Sequence, residues 1–301
     1  AQPGGQYFRQ LPATFRADDR THHQAEAAAL LGRLARSSVR VLSNTVVWGA
    51  FPERSGHGWE LGLHGPDAPA ALAARSIILA TGAYDRPIPF PGWTLPGVMS
   101  AGAAQTLLKS QRVLPGRRVL LSGTGPLQLA VAASLARAGA DVIAVLEGAR
   151  PGLSMAGHAP AMWGQWQRLR EGWGYARALR GVPYRFGWAI IEARGVDQVE
   201  EAVVAQLDAD WRPLPGTEKR LHVDTILTGY GFIPSTELSR LLGCRHSYDL
   251  ARGGFVATRD ETMRTSLPGV YVAGDGGGIG GAELASLEGK VAGISAAAEL
   301  G

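Results

Sequence analysis

Three glycine clusters, each at the end of an apolar run, are the places in this sequence where residue type and spacing point to chemistry. The first is "LLSGTGPLQLA", residues 120–130, in which an apolar run breaks into Gly123-Thr124-Gly125-Pro126 and resumes with helical spacing. Gly123 would make the tight strand-to-helix turn, and Gly125 would let the backbone approach a pyrophosphate. The unsatisfied N–H groups and the dipole of the helix start favour such an anion. Pro126 suits the first helical turn, where a missing N–H costs nothing. Glu147 closes the next apolar run, near the position about 20 residues further on where a carboxylate accepts ribose hydroxyls. Gln128 departs from the pattern, standing where a third Gly or Ala would let helix and strand pack closely. A βαβ unit whose glycines merely turn the chain is the plainer alternative; the flanking strand, helix and acid favour a nucleotide.

The second cluster lies in "SIILATGAYDRPIPFPGW", residues 76–93, where an apolar strand ends at Ala80-Thr81-Gly82. Gly82 permits close backbone approach and Thr81 supplies a hydroxyl. The design recurs in "VDTILTGYGFIPST", where Gly229 ends an apolar strand. As a bare pattern it is weak, because strand-end glycines are common in α/β proteins. The third cluster is "GVYVAGDGGGIGGAE", residues 269–283. Asp275 leaves a strand among glycines and just before a helix, where a carboxylate can bind polyol hydroxyls and bare N–H groups can face a phosphate or ring. So many glycines beside an apolar strand are entropically costly unless a ligand needs the backbone exposed.

These clusters need strands and helices to hold them, and the composition supports a packed core. Of 301 residues, 46% are hydrophobic and 19% charged, ordinary values for a globular protein. Thirty basic against 26 acidic residues leave a net charge of +4 with no dense basic block, so nucleic acid is not an expected partner. The single cysteine, Cys244, excludes an internal disulfide, a Cys-x-x-Cys pair and a four-thiolate cluster within this sequence. Redox chemistry would have to come from a bound cofactor. A reducing, cytoplasmic compartment is the expectation. No run of about 18 uncharged apolar residues is present, so no membrane span is expected, and "AQPGGQYFRQ" lacks the form of a signal peptide.

Along the chain, 21–36 reads as a helix capped by Thr21, 39–51 and 59–65 as strands, and 74–87 as a strand ending in a glycine turn. The stretch "IPFPGWTLPGV" (88–98), with Pro87 just before it, reads as an extended connector. Then come strand 117–122, helix 126–138 and strand 141–146. A helix with a broken Trp stripe is expected over 162–180, followed by the strand-like pieces "YRFGWAIIEA", "EEAVVAQLD" and "KRLHVDTILTG", and the sequence closes on strand, glycine turn and helix. Alternating strands and helices favour an α/β class with parallel sheets.

The segments "PGGQYFRQ", "ATGAYDRPIPFPGWTLPGV", "GTGPLQLAVAASLARAGADVIAVLE", "GYGFIPSTEL" and "GVYVAGDGGGIGGAE" occur in this order over essentially all of the sequence. In wording and spacing the sequence resembles the FAD/NAD(P)-dependent oxidoreductases of the two-dinucleotide-binding-domain, glutathione-reductase-like fold. Within them it is most similar to the larger flavoprotein subunit of hydrogen cyanide synthase, opine oxidase and hydroxyproline or proline dehydrogenase complexes. The resemblance implies an FAD domain in two parts, 1–112 and 225–301, around a second nucleotide module at 113–224. It implies FAD contacts from Gly4, Gly5, Gln6, Val47 (or Val46), Thr81, Gly82, Gly274, Asp275, Gly281, Ala282 and Glu283. NAD(P), or ATP or ADP, is the implied ligand of the second module through Gly123, Gly125, Pro126 and Glu147.

The resemblance also implies a first βαβ unit ahead of "PGGQ", which grips the FAD pyrophosphate, and a cysteine-rich iron–sulfur tail. The 301 residues contain neither, so weakened FAD affinity is expected. The implied activity is FAD-dependent oxidation of a small amine or amino acid (opine, hydroxyproline or glycine type). The chain would relay electrons in a complex whose implied partners are a second flavoprotein subunit, plus an iron–sulfur subunit. A stand-alone NAD(P)H-dependent flavin reductase and a non-catalytic nucleotide-binding scaffold are the rival readings.

Other residues carry blander expectations. His22 and His23, adjacent at a helix start, diverge and lack partner acids, so no metal is expected. Tyr84, Asp85 and Arg86 could form a phosphate contact or a surface turn. Trp163, Trp166 and Trp173 are expected to pack a helix rather than a partner. Arg150 could receive a 2′-phosphate, but Glu147 would repel one, so NAD is preferred to NADP. Cys244 is expected to be a small buried side chain.

Overall fold

The computed structural model describes residues 3–8, 10, 22–54, 56, 58–150 and 173–301, the side chains of 22–24 excepted. Trp163 and Trp166 fall outside the described residues, as do the Thr21 cap and the side chains of His22 and His23. The chain forms two compact units. One contains the described residues up to Tyr84 together with Phe232–Gly301, and the other is Asp85–Gly231. The chain passes from one to the other at the short strands β5 (Ala83–Asp85) and β14 (Phe232–Pro234). The sequence reading sets the divisions at 112/113 and 224/225. The difference has a physical reason: strand β6 (Val98–Ser100) pairs in parallel with β13 (Thr225–Gly229), and helix α2 (Ala101–Gln111) packs in the core of the same unit.

The second unit is built on a five-stranded parallel sheet, in the order β6, β13, β7 (Arg118–Gly123), β8 (Asp141–Glu147) and β9 (Tyr184–Phe186). Successive side chains along a strand point to opposite faces, and both faces are used. Val119, Leu121, Val145 and Leu227 pack with Ala101 and Ala104 of α2 and with Val131, Ala132 and Leu135 of α3 (Leu127–Arg137). Leu120, Ala144, Leu146 and Ile226 pack instead on an antiparallel sheet of β10 (Trp188–Arg194), β11 (Glu201–Gln206) and β12 (Lys219–His222). A strand buried on both faces reads as a continuous apolar run, which is how "RVLLSG" and "DVIAVLE" look in the sequence. The expected piece "KRLHVDTILTG" is two strands, β12 and β13, in two different sheets. Likewise "YRFGWAIIEA" is broken into β9 and β10 by Gly187, which has φ +68°.

Helix α2 was not legible in the sequence. Its Ala-rich start carries no charge pattern, and its cap is Ser100, whose Oγ accepts the Ala103 N–H. Asp85 accepts hydrogen bonds from the Ser100 hydroxyl and from the Gly102 N–H at 3.1 Å, so it anchors this helix start and is not a loose surface turn. Arg86 continues that anchoring through its backbone N–H on Gly231 O.

The first unit contains α1 (His22–Ala35), an antiparallel sheet of β1 (Val46–Pro52), β2 (Trp59–His64) and β3 (Ala71–Ala74), and a hairpin of β15 (His246–Asp249) and β16 (Gly254–Ala257). A parallel pair, β17 (Val270–Val272) with β4 (Ile77–Leu79), leads into the long C-terminal helix α5 (Ala282–Leu300), the short helix α4 being Glu237–Leu241. The strand expected over 39–51 starts only at Val46. Trp59, Ile77, Leu79, Ala257, Val270 and Val272 form the core, and Cys244 sits among them. Burial pushes the Cys244 thiol above its ordinary range, as expected of an inert packing residue. Among the described residues no helix is long and apolar enough to cross a membrane, and no group of three or more His, Cys, Asp or Glu side chains could hold a metal.

Candidate functional site

In the first unit, strand β17 ends at Val272, and after Ala273 the chain turns through a short 3₁₀ segment, Gly274–Gly277. Gly274 has φ +72°, a conformation that a side chain would strain, and its N–H donates to Glu288 Oε2 at 2.8 Å. Glu288 lies on α5 and forms a two-pronged ion pair with Arg259, at 2.6 and 2.8 Å, with both side chains almost fully buried. Arg259 also donates to Val272 O at 2.7 Å, so strand end, glycine turn and helix are tied through one guanidinium. Sequence reasoning missed this pair because its members lie 29 positions apart on different elements.

Asp275 faces the other way. Its Oδ1 accepts the N–H groups of Gly280 at 3.0 Å and Gly281 at 3.1 Å, which fixes the entry into α5; Oδ2 accepts none among the described residues. A Cβ added at Gly276 would lie 2.7 Å from Thr81 Oγ1, and one at Gly277 would lie 2.6 Å from the Arg259 guanidinium. The β4 end and the glycine turn are therefore in contact. The Thr81 hydroxyl is spent as a donor on Ser235 O at 2.7 Å. Gly82 (φ +70°) and Gly281 (φ +86°) instead have nothing within 4 Å of an added Cβ, so there is open space at both glycines. Ala282 and Glu283 begin the helix, whose first-turn N–H groups have no intrahelical acceptor. A carboxylate with a spare oxygen, open backbone and a helix start form a donor set that fits the polyol and phosphates of FAD. Gly4, Gly5 and Gln6 lie in a separate turn closed by Phe8 N–H on Gly4 O, and Val47 lies in β1 opposite Leu63.

In the second unit the strand ends are closed in on themselves. A Cβ at Gly123 would stand 2.1 Å from Gly229 O, so this glycine is required by the neighbouring strand. Thr124 N–H donates to that same carbonyl at 2.8 Å. Gly125 N–H donates to Glu147 Oε2 at 3.0 Å, and Pro126 has no N–H. Glu147 is buried and accepts two further hydrogen bonds, from Ala149 N–H at 3.2 Å and the Tyr184 hydroxyl at 3.2 Å. Burial and the Glu147 carboxylate push the Tyr184 phenol above the usual tyrosine value, so it stays protonated and donates. Gln128 is 1% exposed with neither amide atom hydrogen-bonded, an arrangement that costs free energy.

A cavity of about 690 Å³ opens beside this turn, lined by Pro126, Leu129, Val145, Leu179, Val182 and Phe186 among others. Among the described residues that line it, the charged ones are Glu147 and Arg150. Arg150 is committed in part to Leu207 O at 2.5 Å and lies over Gly187. Trp173 is 83% exposed and does not pack as the stripe predicts.

The family model of the pyridine nucleotide-disulphide oxidoreductases matches residues 175–289, which run from the second unit through the Asp275 turn into α5. The chain is similar to this family over that stretch. Among relatives of this flavoprotein-type chain is the hydrogen cyanide synthase subunit HcnB of Pseudomonas protegens. It is 37% identical over 235 residues, covering 77% of this chain and 50% of the relative. An opine oxidase subunit from Rhizobium meliloti is 35% identical over 308 residues, 99% of this chain and 64% of the relative. The chain thus spans about half to two thirds of the length of these relatives. Among solved structures, T. acidophilum thioredoxin reductase superposes with a TM-score of 0.68 at 18% identity, over 99% of this chain and 88% of the other. That likeness establishes the two-dinucleotide-binding-domain α/β fold, glutathione-reductase-like in kind, that the sequence motifs imply.

Proposed function

We propose that this chain is the flavin-holding part of an FAD-dependent oxidoreductase that works as one subunit of an amine- or amino-acid-oxidising complex. The observation that carries the reading is the Asp275 turn. Its carboxylate is positioned by Gly280 and Gly281, keeps one oxygen free, and stands between open glycine backbone and a helix start. Asp275 would take ribityl or ribose hydroxyls, while Gly82, Ala282 and Glu283 would offer backbone to the phosphates and ring; Gly274 and Gly281, whose N–H groups are held by Glu288 and Asp275, would shape the turn that lets the cofactor approach. Thr81 holds the two strand ends together instead of reaching the cofactor. The family expectation adds Gly4, Gly5, Gln6 and Val47. FAD, when bound, supplies hydride and electron transfer; the protein orients it and sets its surroundings.

The relatives support the role of one component among several: HcnB and the opine oxidase and sarcosine oxidase relatives are each named as one subunit of an enzyme. Opine-, hydroxyproline- or glycine-type amines are the substrate class on this reading. Its partners would be a second flavoprotein subunit, plus an iron–sulfur subunit. The test is the visible spectrum of the purified 301-residue chain, with identification of any nucleotide released on denaturation. A flavin spectrum with FAD released is the expected outcome. A colourless chain that also fails to take up added FAD overturns the reading.

A further inference from the structure

We infer that Glu147 is the built-in anion of the second module: it occupies the Gly125 amide that a dinucleotide phosphate would need, and so bars phosphate from this turn. Three successive positions of the glycine turn are unavailable as donors. Thr124 N–H is held by Gly229 O at 2.8 Å, Gly125 N–H by Glu147 Oε2 at 3.0 Å, and Pro126 has none. A phosphate brought within hydrogen-bond reach of Gly125 would share that proton with a carboxylate, and two anions around one N–H repel. Outward rotation of Glu147 would strand three donors at once: Gly125 N–H, Ala149 N–H and the Tyr184 hydroxyl. These donors are half-buried, and rotation would give up three hydrogen bonds to a charged acceptor, so the closed arrangement is the stable one.

The rest of the module agrees. The described lining of the adjoining cavity is largely apolar, unlike a pyrophosphate cradle. Gln128 takes the place where a third small residue would bring the helix start against the strand, and its amide makes no hydrogen bond. Glu147 is therefore a specificity-determining residue acting by exclusion. In the spacing argument a carboxylate at this position serves ribose hydroxyls; here nearly all of its accepting capacity is already used within the protein.

The consequence rests on the flavoprotein reading above: electrons reach the flavin of the first unit from a partner protein and not from NADH or NADPH. The test does not depend on flavin. NADH, NADPH and ATP are titrated into the chain by calorimetry, comparing wild type with Glu147→Gln and Tyr184→Phe, each checked for wild-type circular dichroism and a cooperative melt. Wild type is expected to bind none of the three with a dissociation constant below about 1 mM, the weak end of specific binding. Glu147→Gln removes the charge at constant size and is expected to tighten NADH binding about tenfold or more. Tyr184→Phe, which frees the carboxylate to move, gives a smaller gain. Tight wild-type binding that weakens in Glu147→Gln would show a ribose ligand and overturn the inference. Equally weak binding in all three proteins would also overturn it, since the block would then not be Glu147. Failure of the FAD reading shows separately, as absence of released FAD.

Discussion

Asp275 and Glu147 each stand where a strand gives way to a glycine turn, yet the two carboxylates are used in opposite ways. Asp275 is partly exposed, spends one oxygen on the amides ahead of α5 and leaves the other without a donor among the described residues. Glu147 is buried and both its oxygens are engaged by its own turn and by Tyr184. The supporting shells differ too. Behind Asp275 a separate pair, Arg259 and Glu288, satisfies Gly274 N–H and holds the turn from within, which frees Asp275 for a ligand. Behind Glu147 there is no such proxy among the described residues, so the carboxylate does the structural task itself. A glycine turn beside an acid thus signals a ligand site only when something else holds the turn.

That comparison breaks most sharply at Arg259. Replacing it with Ala leaves Glu288 buried and unpaired, and breaking a buried pair this way costs about 3–5 kcal/mol. Urea unfolding of Arg259→Ala should show that loss. The double replacement Arg259→Met with Glu288→Leu should recover stability while still weakening FAD retention, because Gly274 N–H has lost its acceptor. In the second unit, Gly123→Ala forces a methyl against Gly229 O and should cost about 1–3 kcal/mol or more by overpacking. Gly125→Ala meets open space but a φ of +95°, so its cost, about 1–2 kcal/mol, is conformational alone.

Tyr184→Phe removes a hydrogen bond to a buried carboxylate and should cost about 1.5–3 kcal/mol, near the cost of the glycine variants. The pH dependence separates it from them. The Tyr184 phenol is raised in the folded state, so its contribution is complete below the unfolded tyrosine value of about 10 and is lost as pH rises above that. Stability of Tyr184→Phe measured from pH 8 to 11 should therefore fall less steeply than that of wild type. The smallest effect on folding is expected at Asp275: Asp275→Asn keeps an acceptor for Gly280 and Gly281 and should change stability by less than about 1 kcal/mol. It should nevertheless raise the FAD dissociation constant measured by flavin fluorescence. A variant that melts early but holds FAD normally would reverse the roles assigned to the two acids.

Much of the architecture was legible. The continuous apolar runs of β7 and β8, the helical spacing of α3 between them and the closing strand–turn–helix are local patterns, and a two-face-buried parallel strand has a distinctive composition. Strands β10, β11 and β12 were legible as strand-like pieces, but their pairing into a separate antiparallel sheet was not; nor were the hairpin at 246–257 and helix α2, because short strands and an Ala-rich helix carry little periodic signal. Trp173 was misjudged for a related reason: spacing identifies a stripe but not whether anything lies against it.

The sequence by itself determined which residues could bind a nucleotide. Glycines with positive φ, an acid at a strand end and a helix start are chemical requirements written in residue types. Only the tertiary structure decided what those groups are free to do. Whether a carboxylate is available depends on how many donors surround it, and Gly229, Tyr184, Arg259 and Glu288 come to the two turns from distant parts of the chain. Hydrogen bonds that close or open a site are long-range in sequence, and a local pattern carries no record of them.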